Sequence, residues 1–188
     1  MLYSMEIKLD FIGIGAQKAG STWLYKNLSQ HPQVNINKKE INFFNDKFSF
    51  YSKRFGSNYD KGLDWYKLKL NIEENQLNGE ITPNYLYDSK VPKRINKHFP
   101  KIKILVVLRN PIDRAYSQFD FANKVLHVGD DFLETIEKES EFIERSLYYK
   151  QLKRYYDLFD DKQIKVLFLH EIKKNPQKAN SLLNLIVK

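Results

Sequence analysis

Phe11-Ile-Gly-Ile-Gly-Ala-Gln-Lys-Ala-Gly-Ser-Thr-Trp-Leu24 is the stretch that decides how this chain folds. An apolar run, residues 10–15, has the character of a short buried strand. A loop of small residues follows and carries one lysine. Ser-Thr then opens a helical pattern over 20–30, with Trp23, Leu24 and Leu28 on one face. His31-Pro32 closes it, because the residue before proline disfavours helical geometry. A strand, a small-residue loop and a helix N-terminus together suit an anion; the competing reading is a glycine-containing strand–helix turn with no ligand. The first helical N–H groups and the positive end of the helix dipole both favour negative charge there.

Gly15 and Gly20 have the spacing of the two glycines in the nucleotide triphosphate loop. The residue after Gly20 is Ser21 rather than lysine, and Lys18 stands inside the loop. The aspartate that would help hold magnesium after a later strand is also missing, since Lys103–Leu108 runs into Arg109. The loop therefore suits a phosphate-bearing group that needs no metal, and no metal is expected.

Outward from this loop, strands alternate with helices. Residues 33–60 show no clear period and read as a long structured loop. Gly62–Leu70 is predicted helical and Leu77–Ile81 a strand, stopped by Thr82-Pro83-Asn84. A helix over 90–98 stops at Pro100. The four consecutive apolar residues in Lys103-Ile-Leu-Val-Val-Leu108 suit the centre of a parallel sheet buried on both faces. Asn110-Pro111 opens a helix to about Val125. Further helices are predicted over 131–139 and Glu144–Phe159, a strand over Gln163–Leu169, and a terminal helix from Pro176. The expected fold is α/β, three-layered and P-loop-like, with a central, mainly parallel sheet flanked by helices.

The bulk composition fits one globular domain, 1–188: 42% of the 188 residues are hydrophobic, with 13 Phe and 12 Tyr. The absence of cysteine excludes disulfides, thiolate metal sites and a cysteine nucleophile. No run approaches the roughly 18 apolar residues of a membrane span, and the N-terminus lacks the apolar core of a signal peptide. A cytoplasmic protein without stable membrane insertion is expected. The net charge of +8 permits an anionic ligand. Its lysines are scattered rather than blocked, so a nucleic-acid partner is not expected.

A second segment sharpens the reading. Arg109-Asn-Pro-Ile-Asp-Arg-Ala-Tyr-Ser117 follows the central strand and enters a helix. Ligands of open α/β folds bind at the carboxyl ends of strands. Arginine offers a forked contact to phosphate, and serine adds a hydroxyl. The competing reading pairs Arg109 with Asp113 and leaves Ser117 to packing.

Taken together, the two segments resemble the sulfotransferases that use 3′-phosphoadenosine 5′-phosphosulfate (PAPS). The similarity is closest to the heparan-sulfate and bacterial carbohydrate-type branch. Further matches lie in order at Lys39-Glu-Ile-Asn-Phe-Phe44, Tyr59–Tyr66, Gly79-Glu-Ile-Thr-Pro-Asn-Tyr85 and Leu147–Tyr155, so the resemblance covers about residues 10–188. It implies that Lys18 contacts the 5′-phosphosulfate and stabilises the leaving oxygen. It implies that Ala19, Gly20, Ser21 and Thr22 cradle the 5′ phosphate, with Gln17 and Trp23 beside them. Arg109 and Ser117 would hold the 3′ phosphate. Glu40 falls where the branch places its catalytic base, and Glu80 is the competing carboxylate, or else a structural partner for Lys18 or a backbone N–H. The histidines at 31, 98, 127 and 170 share no metal-like spacing, although another branch uses a histidine base.

The implied reaction moves a sulfo group from PAPS to a hydroxyl or amine of an acceptor, a small molecule or glycan, with a carbohydrate preferred. The alternatives are a non-catalytic module binding PAPS or its desulfated product PAP, and a P-loop kinase. Two departures stand out. The branch commonly has a lysine where this chain has Ile81. Family members also continue past a helix like Gln177–Val187 into a basic loop over the donor, so a domain lacking that closing loop is expected.

Overall fold

The computed structural model describes residues 7–36, 40–46, 48 and 57–175. Five strands form one parallel sheet: β1 (Phe11–Gly15), β2 (Val34–Ile36), β3 (Leu77–Ile81), β4 (Lys103–Leu108) and β5 (Ile164–Phe168). Their order across the sheet is β2-β3-β1-β4-β5. The chain leaves β1 toward β2, returns to β3, then crosses to β4 and β5. The switch in direction therefore falls between β1 and β4, the place where an open α/β sheet leaves a crevice for ligands.

Helices cover both faces, as the three-layer expectation requires. They are α1 (Ser21–Leu28), α2 (Gly62–Leu70), α3 (Val91–His98), α4 (Pro111–Leu126), α5 (Phe132–Lys138), α6 (Glu141–Glu144), α7 (Tyr148–Tyr156) and α8 (Leu169–Lys174). Successive strand residues point to opposite faces. Ile12, Ile14, Ile104, Val106 and Leu108 accordingly pack with Tyr66 and Leu70 of α2, Val91 and Ile95 of α3 and Tyr155 of α7. Phe11, Ile81, Leu105 and Val107 pack on the other face with Leu24 and Leu28 of α1 and Ile172 of α8. Phe11 stands in register with Gly79, and its ring fills the space that a side chain there would need.

Three elements differ from the sequence expectation. Val34–Ile36 is an edge strand rather than loop, paired to β3 in the register Val34↔Leu77. The helix expected over 144–159 is broken, because α6 ends at Glu144 and α7 begins at Tyr148. Leu147 between them is non-helical (φ −80°, ψ 64°). The break turns Arg145 into the interior, where it donates to Glu141 Oε1 at 2.7 Å and Asn84 Oδ1 at 3.1 Å. Helix α8 begins as soon as β5 ends. The terminal helix expected from Pro176 lies outside the described residues.

Candidate functional site

The loop between β1 and α1 is built by two glycines and a strained lysine. Gly20, just before α1, has φ 107°, and a Cβ there would lie 2.8 Å from Leu169 Cδ1 of α8. Only glycine meets both demands at once. Lys18 itself takes a left-handed backbone, φ 63°. Strain of this kind in a non-glycine residue gathers at functional sites. Ala19 donates its N–H to Ala16 O at 3.2 Å and so closes the turn. No acidic residue stands in the first turn of α1. Ser21 there is buried, Thr22 exposed, and Gln17, Lys18, Gly20 and Trp23 are half-buried.

The two sequence motifs meet at the switch point. An Nη of Arg109, leaving β4, approaches the carbonyl oxygen of Lys18 at 3.5 Å. Arg109 is fixed from behind, where Tyr148 donates its hydroxyl to the Arg109 carbonyl at 3.0 Å. The ion pair with Asp113 is loose, at 3.9 Å, and Asp113 is mostly exposed. That distance leaves the guanidinium available to a stronger anion. Helix α4 is started by Asn110, whose side chain accepts the N–H groups of Ile112 and Asp113 at 2.9 and 3.3 Å, with Pro111 in its first turn. Ser117 is half-buried two turns on. The other arginine of the motif, Arg114, points inward and binds Ser146 Oγ, Gln118 Oε1 and Phe142 O.

Positive charge is concentrated at this crevice. The Lys18 pKa is lowered, first by burial; Asp120 opposes the shift, and the nearby charges of Lys124 and Arg109 add to it. An arriving anion would reverse that penalty. The Lys18 ammonium rests over the Phe121 ring of α4. Sequence reasoning missed Phe121, which carries no motif.

The Thr82–Leu86 turn joins this loop to the Glu40 segment. Thr82 N–H bonds Gly13 O and Leu86 N–H bonds Ile14 O, both at 2.8 Å. A Cβ on Gly15 would come within 2.9 Å of both Leu86 Cβ and Pro83 O. On the far side of the turn lie residues 40–46. Glu40 is half-buried, and its carbonyl accepts Asn42 Nδ2 at 3.3 Å. Its carboxylate lies close enough to Glu80 to help raise that residue's pKa.

Glu80 has no cationic partner among the described residues. It is buried and accepts hydroxyls from Tyr66 (2.6 Å), Tyr85 (2.9 Å) and Thr82 (3.0 Å). The alternatives of Lys18 or a backbone N–H as its partner are thereby corrected: the oxygens are taken by hydroxyls. Burial pushes the Glu80 carboxyl up to about 7, against the pull of those three bonds. The histidines stand apart. His98 bonds Tyr59 OH at 2.7 Å, His31 Nδ1 accepts Gln33 N–H, and His127 faces Asp130. Among the described residues no three His, Asp or Glu side chains could share a metal ion. No helix among them is long and apolar enough to cross a membrane.

An α/β sheet with a glycine-containing strand–helix loop after its first strand and an arginine beside it at the switch point defines a P-loop-like α/β fold. Within that class the chain belongs to the Sulfotransferase domain family, which it matches over residues 8–181. It is 30% identical over 177 residues to the membrane-associated sulfotransferase kil1 of Dictyostelium discoideum, covering 88% of this chain and 33% of that protein. It is 38% identical over 115 residues to human bifunctional heparan sulfate N-deacetylase/N-sulfotransferase 1, covering 56% of this chain and 12% of that protein. The chain thus spans a third or less of these two relatives. A sulfotransferase structure from Alicyclobacillus acidocaldarius superposes with a TM-score of 0.79 at 29% identity, over 96% of this chain and 81% of that one.

Proposed function

We propose that this chain transfers the sulfo group of PAPS to a hydroxyl or amine of a carbohydrate acceptor. The observation that carries the reading is the approach of Arg109 to the Lys18 carbonyl, 3.5 Å. It brings a second anion-binding group beside the P-loop-like turn, as a donor with separate 5′ and 3′ phosphates requires. The residues fit that donor. Gly20 takes the φ of 107° that turns the loop into α1, Lys18 brings a cation into the loop, and Arg109 and Ser117 lie just before α4 and two turns along it. The donor supplies an activated S–O bond. Lys18 meets the charge that develops on the phosphate oxygen as that bond breaks, and Glu40 takes the proton from the acceptor as the new bond to sulfur forms. The acceptor class is supported by the heparan sulfate relative.

Calorimetry with PAP and with 5′-AMP tests the donor site. A charge-assisted contact contributes about 1.5–3 kcal/mol, so PAP should bind roughly 10- to 150-fold more tightly than 5′-AMP. Arg109→Ala should erase the difference. Equal binding of the two nucleotides to the wild-type protein would remove the role given to Arg109 and Ser117. A PAPS transfer assay against desulfated glycans, with Glu40→Gln as the comparison, tests the reaction itself.

A further inference from the structure

Glu80 is a buried carboxylate surrounded by hydroxyls, in a protein rich in cations that could have paired with it. At pH 8, above its raised value of about 7, the Glu80 carboxylate is ionised and can only accept hydrogen bonds. Each hydroxyl facing it must therefore donate, and each keeps its lone pairs for another donor. Tyr85 uses its lone pair to accept the Phe43 N–H at 2.9 Å, with Phe44 N–H at 3.4 Å. Thr82 accepts the Asn42 N–H at 3.3 Å. Two relays thus run from one carboxylate to consecutive backbone amides, two and three residues after Glu40. The segment needs such anchoring. Residues 40–46 form no helix or strand, and Asn42 sits at φ 53°. Asn42 in turn holds the Glu40 carbonyl. Buried amides without partners would cost about 1–3 kcal/mol each.

We propose that Glu80 is a positioning residue: by fixing the donor direction of Tyr85 and Thr82, it makes both hydroxyls accept the amides of residues 42 and 43 and so holds the Glu40 carboxylate in place. The catalytic consequence rests on the reading of Glu40 as the base. The relay to the backbone does not.

The test pairs turnover with amide exchange at pH 8, using the whole chain. Glu80→Gln and Tyr85→Phe should each lower kcat for transfer from PAPS to desulfated heparan sulfate by 10- to 100-fold, with KM for PAPS and Kd for PAP within twofold of wild type. Thr82→Val should act likewise and Thr82→Ser should restore the rate, a contrast that survives if Glu80→Gln fails to fold. Hydrogen exchange at Asn42 and Phe43 should quicken at least tenfold in Glu80→Gln, and at Asn42 in Thr82→Val but not in Thr82→Ser. Unchanged exchange at these amides overturns the proposal, and so does unchanged kcat beside quickened exchange. A wild-type chain that neither binds PAP nor transfers sulfate overturns the functional reading instead, and the exchange of Asn42 and Phe43 then decides the relay alone.

Discussion

The Lys18 ammonium nitrogen lies 4.1 Å from the centre of the Phe121 ring. A strand–loop residue and a residue three turns along α4 are thereby coupled. The ring's negative face attracts the cation, worth about 0.5–1 kcal/mol at an exposed site. The same helix carries Asp120 and Lys124, which pull the Lys18 pKa in opposite directions.

Replacing Lys18 by Met separates charge from packing. The methionine stem still contacts the Phe121 ring, while the charge proposed to meet the donor phosphate is gone. Titration calorimetry should show PAP binding weakened by roughly 10- to 100-fold. The melting temperature should stay within about 2 °C of wild type. A stable variant that binds PAP with undiminished affinity would take Lys18 out of the donor site.

Gly20→Ala should destabilise the protein by about 1–3 kcal/mol, the range for a side chain forced into a disfavoured backbone region. Two causes act together: φ 107°, and the Cβ position 2.8 Å from Leu169 Cδ1. Urea unfolding of Gly20→Ala and of Gly20→Ala/Leu169→Ala divides them. The second change removes the collision and leaves the backbone share. Should the double variant behave additively, the collision contributes nothing.

Glu80 gives stability a definite pH slope. Its carboxyl is raised from 4.5 to about 7, first by burial, with the Glu40 charge adding to the shift. Between those values the folded chain holds a proton that the unfolded chain has released. Stability therefore falls as pH rises through that window, by an amount on the order of 3 kcal/mol. Urea titrations at pH 5 and pH 8 should show wild type losing that much relative to Glu80→Gln. A constant difference between the two proteins would show that the carboxyl titrates normally.

Asp46 behaves in the opposite sense. Arg94 reaches it at 2.7 and 3.1 Å and also binds Phe44 O at 2.6 Å. The Arg94 bonds hold the Asp46 carboxyl well below its ordinary range, with Lys90 adding and burial opposing. Such a group stabilises the fold above its ordinary pKa of 3.8 and loses that contribution as pH falls below it. Arg94→Met should cost about 2–4 kcal/mol at neutral pH. Acid unfolding of the variant should also show a shallower dependence between pH 4 and pH 2. Equal slopes would mean that Arg94 is not what holds Asp46 ionised.

Much of the fold was legible because local signals agreed with tertiary demand. The Gly15–Gly20 loop, the apolar run of β4 and the Asn110-Pro111 start of α4 each carry their own chemistry. What was not legible depended on partners distant in sequence. Val34–Ile36 is three residues long and is a strand only because β3 is beside it. Nothing in the pattern of residues 144–159 shows that Arg145 must turn in to reach Asn84, sixty-one residues earlier. The candidate site divides in the same way. Lys18 and Arg109 stood out by motif, whereas the hydroxyls around Glu80 come from α2 and from the Thr82–Leu86 turn, and nothing in the sequence says that Tyr66, fourteen residues before Glu80, joins the other two.

The position of β1 has a consequence for how the molecule is made. Phe11 pairs with Gly79 on one side and Lys103 on the other. Neither partner is near it in sequence, so both loops must close before the central strand gains its bonds. During synthesis the Gly15–Gly20 turn emerges early, yet it has nothing behind it until Arg109 has been added. The loop and its arginine therefore come together only after β1 has been enclosed between β3 and β4.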